Sequence, residues 1–79
     1  MKSNANISIN DSMYISKTDL EKLKIDASSG NSQAASKLAN YFAFYEFNND
    51  KFIFWLIRSA ELGNTQAQYD LAYIFFDHY

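Results

Sequence analysis

The sequence predicts an all-α fold: a short α-solenoid of two tandem antiparallel helix pairs, four helices in all, behind a flexible N-terminal arm. Three observations carry this. The 79 residues include no proline, so helices can run unbroken. Gly30-Asn31-Ser32-Gln33-Ala34 returns 33 residues later as Gly63-Asn64-Thr65-Gln66-Ala67, a period in the range of stacked helix-pair repeats. At the same shift Leu38-Ala39 returns as Leu71-Ala72, Phe42 as Phe75, Ala27 as Ala60 and Leu23 as Leu56.

Residues 1–16 form the predicted arm. Serine and asparagine dominate it, and their side chains compete with the backbone for hydrogen bonds. Ile7, Ile9, Met13, Tyr14 and Ile15 are its only sizeable apolar groups, so it is expected to be loose or extended. Residues 17–79 form the helical-repeat domain. Thr18-Asp19-Leu20-Glu21 has the spacing of a capping box, with Thr18 accepting from first-turn amides and Glu21 reaching back. The helix it opens carries Leu20, Leu23 and Ala27 on one face and Lys22, Lys24 and Asp26 on the other. Gly30 closes it in the left-handed conformation, and Asn31 caps the next helix at once.

The second helix is predicted from Ser32 to Phe47, with Ala34, Leu38, Phe42 and Tyr45 on one stripe. Asn48-Asn49-Asp50 then reads as a turn. The third, Lys51 to Leu62, holds the run Phe52 to Ile57; a helix so apolar all round is expected to be buried between neighbours. Gly63-Asn64 repeats the glycine-asparagine corner. The fourth helix runs on from Asn64, with Ala67, Leu71, Ile74, Phe75 and His78 inward.

Composition narrows the function. With no cysteine there is neither a disulfide framework nor a thiolate metal site. Seven basic residues among nine acidic ones give a net charge of −2, and no nucleic-acid footprint. The run Phe52 to Ile57 is far short of the ~20 residues that cross a bilayer, so no membrane role is expected. No apolar segment follows Lys2 in the manner of a secretion signal, and the expected location is the cytoplasm.

Trp55-Leu56-Ile57-Arg58-Ser59-Ala60-Glu61-Leu62-Gly63-Asn64, followed by Ala67 and Leu71-Ala72, resembles the Sel-one-like repeat family. That pattern is a tryptophan, a basic residue and paired small residues, then acidic-x-Gly-Asn, then Ala-x-Ala-x-x-x-Leu-Gly. The earlier copy keeps Ala27, Gly30, Asn31, Ala34 and Leu38, with Lys22 in the tryptophan's place. Ala72 replaces the usual glycine, and Asn48-Asn49-Asp50 replaces a Gly-x-Gly-Val loop. The shorter period makes the tetratricopeptide repeat the second resemblance. Both imply a solenoid scaffold or adaptor that binds proteins, with no catalytic set and no cofactor. Some short bacterial members resemble immunity proteins that neutralise a toxin or enzyme.

The residues agree that catalysis is not expected. The lone His78 lies next to the C-terminus, and Asp70 and Asp77 are too few for a metal frame. Glu61 opposes the helix dipole at the end of its helix, with Arg58 placed to compensate. Trp55 reads as core. With Leu38 and Leu71 inward, Gln33, Lys37, Asn40, Tyr41 and Phe44 are expected to face outward, and so are their repeat mates Gln66, Asp70 and Tyr73. Phe76 and Tyr79 load the last helix with further aromatic surface. These ten residues are the predicted partner-binding set. The loaded last helix needs a cover: a second copy as a homodimer through that helix, a toxin, effector or signalling partner, or a further stretch of chain.

Overall fold

The computed structural model describes residues 13–77, which form four α-helices in the predicted order: α1 Lys17–Ser28, α2 Ser32–Phe44, α3 Asn49–Glu61 and α4 Thr65–Asp77. Each helix packs chiefly on its neighbours in sequence, the pattern of a solenoid of helical hairpins. The run Phe52 to Ile57 lies within α3.

The two corners are built alike. Gly30 N–H donates to Ala27 O and Asn31 N–H to Asp26 O; Gly63 N–H donates to Ala60 O and Asn64 N–H to Ser59 O. Donors and acceptors of the second set stand 33 residues after those of the first. These bonds use carbonyls that the ending helix leaves without a partner. Both glycines hold positive φ, 113° at Gly30 and 100° at Gly63, which a side chain disfavours. The asparagine side chains then cap the following helices: Asn31 Oδ1 accepts from Ala34 N–H at 3.0 Å and Asn64 Oδ1 from Ala67 N–H at 2.9 Å.

Elsewhere the helix ends correct the sequence reading. Ser16, not Thr18, opens α1, its Oγ accepting from Asp19 N–H at 3.2 Å. Ser16 and Thr18 offer the same capping chemistry, and the packing of Ile15 selects Ser16. With Ser16 as the cap, Ile15 before it and Leu20 in the first turn both lie against the core, the arrangement of a hydrophobic staple. Tyr14, also assigned to the arm, sets its ring edge-on to Tyr45 at 5.4 Å. Residues 1–12 of the arm, including Ile7 and Ile9, lie outside the described residues, as do His78 and Tyr79.

The second helix ends at Phe44, three residues before the expected Phe47. Phe47 takes a left-handed φ of 55°, and Asn48 N–H turns back to Phe42 O at 2.8 Å. That early exit frees Asn48 to cap α3, its Oδ1 accepting from Lys51 N–H at 3.1 Å. Asn49 and Asp50, read as a turn, therefore form the first turn of α3.

Alanines set the depth of the core. Ala27, Ala34, Ala35 and Leu38 are buried with Tyr41 and Phe42 between α1, α2 and α3. A second cluster joins Ala39, Leu56 and Ala67 from α2, α3 and α4. Phe52 and Trp55 pack against both, so Trp55 has the core position expected of it. The third helix is not buried all round, however. Leu56 and Ser59 are buried, whereas Phe54 is 62% exposed, because α2 and α4 cover only two sides of the helix. Its flank also carries Arg58, whose Nη1 lies 3.8 Å from Glu61 Oε1. The expected compensation is present, and at such exposure it is weak.

Candidate interaction surface

The predicted binding residues divide among three regions. Asn40 on α2 and Gln66 and Asp70 on α4 share a groove of about 230 Å³, walled also by Ser36 and Asn64 and floored by Ala39, Leu56 and Ala67. The groove exists because the floor is small. Ala39 and Ala67 are almost fully buried with Leu56 of α3, and the longer polar side chains of α2 and α4 stand up at the rim. Gln66 Nε2 donates to Asp70 Oδ1 at 3.0 Å, one turn apart on the same helix face. This bond holds the carboxylate in the groove wall and leaves its second oxygen for a ligand.

Asn40 is also the wall of a second cleft of about 190 Å³, lined by Met13, Tyr14, Ile15 and Lys37. The two clefts share Asn40 as a common wall. Asp70 stands in the first groove and Lys37 in the second cleft, and they are repeat mates of opposite charge. Lys37 lies within 4.0 Å of no carboxylate among the described residues. An amide at the centre, with its donors and acceptor uncommitted, suits an extended backbone. Gln33 is exposed but lines neither cleft.

Tyr41 corrects the sequence reading. It was expected to face outward, yet it is only 5% exposed. Its ring stacks on Tyr45 at 5.4 Å and meets Phe42 edge-on at 5.1 Å, and its hydroxyl donates to Glu46 Oε2 at 3.1 Å. The cause is the central place of α2. Covered by α1 on one side and α3 on the other, it buries a wider arc than one stripe. Burial first, then the Glu46 hydrogen bond and charge, raise the Tyr41 pKa above the ordinary phenol value.

The third region is the outer side of α4. Tyr73 is exposed, and Phe76 is 83% exposed. Tyr69, which the sequence reading passed over, is 73% exposed beside them. Its signal was present in the spacing of Tyr69, Tyr73 and Phe76 at i, i+4 and i+7, one face of a helix. Phe44 is exposed at the end of α2, and Tyr79 lies outside the described residues. No group of three side chains suited to a metal occurs among the described residues. No helix among them is long and apolar enough to cross a membrane.

Comparison with protein-family models, with curated proteins and with solved structures finds no match.

Proposed function

We propose that this chain is a small protein-binding module that holds an extended segment of another protein along the track from Lys37 through Asn40 to Asp70. The observation that carries the reading is the meeting of two clefts at Asn40, with opposite charges at the far sides. A segment with an acidic group towards Lys37 and a basic group towards Asp70 is complementary in charge, which favours encounter and fixes direction. The function needs no catalytic group, cofactor or nucleic acid, and its setting is the cytoplasm.

The resemblance to Sel-one-like repeats supports a sharper form of this reading. The chain is then a bacterial immunity or inhibitor protein that covers the working surface of a toxin or enzyme. The second reading is an adaptor, a stretch of a longer helical-repeat protein, and the exposed aromatic side of α4 favours it. Affinity capture with the intact chain, followed by binding measurements on the captured protein, tests both. Lys37→Glu, Asn40→Ala and Asp70→Lys should each weaken binding about tenfold, or ~1.4 kcal/mol, while Gln33→Ala leaves it unchanged. Equal affinity in all four variants removes the track from the account. One stoichiometric partner whose toxicity is neutralised identifies an inhibitor; several weak partners identify an adaptor.

A further inference from the structure

The fourth helix has two apolar sides. Ala67, Leu71 and Ile74 pack inward. Thr65, Tyr69, Ala72 and Phe76, spaced four, three and four apart, are all exposed. That spacing is the seam of a helix that receives another helix.

The internal repeat says the same by a separate route. Thirty-three residues earlier these positions are Ser32, Ser36, Ala39 and Ala43, the side of α2 that α3 covers. Ser36 Oγ lies 2.6 Å from Ser59 Oγ of α3, and Ala39 packs with Leu56 of α3. The corresponding side of α4 is thus a helix-receiving face, and no helix among the described residues lies on it.

We propose that a second copy of α4 occupies this face, antiparallel to the first, about a two-fold axis at Ala72. The seam is then self-complementary. Ala72 meets Ala72 at the centre, where small side chains let the helices approach. About this axis position 69 of each copy stands opposite position 75 of the other, one residue from Phe76, so Tyr69 and Phe76 of opposite copies flank the alanine layer as a ring pair on each side. The four seam residues carry no charge, so self-pairing sets no like charges against one another. Asp70 stays outside, in the groove between α2 and α4. Tyr69 and Phe76, with Tyr73 at the seam's edge, offer roughly 400 Å² per copy. The pair falls below the ~1,200 Å² of the smaller specific interfaces, which makes the dimer weak and reversible, with Kd about micromolar or above. No residue of the Lys37–Asp70 track enters the seam, so either proposal can fail without the other.

The chain has no cysteine, which makes the register directly readable. Under mild oxidation the full-length Ala72→Cys protein should cross-link to a disulfide dimer far faster than Thr65→Cys, because an antiparallel seam sets position 72 against itself and separates the two copies of position 65. Sedimentation equilibrium of the unmodified protein should show a monomer–dimer equilibrium, and Phe76→Glu should shift it to monomer with unchanged far-ultraviolet helicity. If Phe76→Glu loses its fold, Ala72→Arg serves as the second blocking variant. A monomer at all concentrations up to roughly 1 mM overturns the proposal and leaves the face to a further helix or a different protein. Equal cross-linking at positions 65 and 72 overturns the antiparallel seam.

Discussion

Arg58 donates its Nε–H to the carbonyl oxygen of Ala27 at 3.2 Å, across 31 positions of sequence. Its Nη2 donates to Ser28 O at 3.1 Å. These carbonyls close α1, whose last turn contains no basic residue of its own. Arg58 therefore supplies from α3 the positive charge that the end of α1 favours, and joins one repeat to the next.

Arg58→Ala should cost about 2 kcal/mol, from two charge-assisted bonds lost at a partly exposed site. In a domain of this size that lowers Tm by roughly 10 °C. Arg58→Lys should recover less than half, since a single ammonium cannot reproduce the planar fork on two carbonyls. Thermal unfolding of the three proteins decides it, and full rescue by lysine would show that charge alone matters.

A second tie lies in the core. Ser59 is fully buried, yet its hydroxyl donates to Ser32 O at 3.2 Å and lies 2.6 Å from Ser36 Oγ. Ser59→Ala leaves Ser36 without this partner and should cost ~1–2 kcal/mol. Ser36→Ala together with Ser59→Ala should cost less than the sum of the single changes, because the second removes a group already stripped of its partner. Strict additivity in denaturant unfolding would break the link.

The corners were legible in the sequence because they obey local rules. A left-handed residue favours glycine, and a helix start favours a short polar side chain, so Gly30-Asn31 and Gly63-Asn64 could be read without knowing their surroundings. Choices made by packing were not legible. Ser16 and Thr18 are equal as caps until Ile15 finds the core, and Tyr41 reads as exposed until α2 has neighbours on both sides. That Asn40, Gln66 and Asp70 stand clear of the core was legible residue by residue, but their grouping along one groove was not. That depends on how α2 and α4 are rotated about their axes, which no single helix encodes.

Phe47 tests the backbone rule in reverse. It holds φ 55° with no glycine to ease it, whereas Gly30 and Gly63 hold φ 113° and 100°. Nothing lies within 4 Å of a Cβ built on either glycine, so alanine there meets only backbone strain. Gly30→Ala and Gly63→Ala should each destabilise by about 1 kcal/mol, and Phe47→Gly or Phe47→Asn should be neutral or stabilising by up to ~1 kcal/mol. D-alanine at position 30 or 63, introduced by chemical synthesis, should be tolerated, since positive φ suits its handedness. If D- and L-alanine cost the same, backbone conformation is not the reason for the glycines.

Tyr41 makes stability depend on alkaline pH. Its folded pKa lies above the ordinary phenol value of 10.0, so as pH rises past 10 the unfolded chain releases this proton before the folded one does. The folded state then binds more protons than the unfolded state, and stability falls as pH increases. The contribution is complete below pH 10 and is lost as pH rises through the folded pKa. Tyr41→Phe lacks the titration but also lacks the hydrogen bond to Glu46, so at pH 7 it should be the less stable protein by about 1 kcal/mol. Above pH 10 that gap should narrow, because only the parent protein is losing stability through Tyr41, and the remaining tyrosines are common to both. Tm measured for the pair from pH 7 to pH 11 gives the answer. A constant gap across that range would mean that the Tyr41 hydroxyl titrates alike in both states, and the buried pairing with Glu46 could not then be what holds its proton.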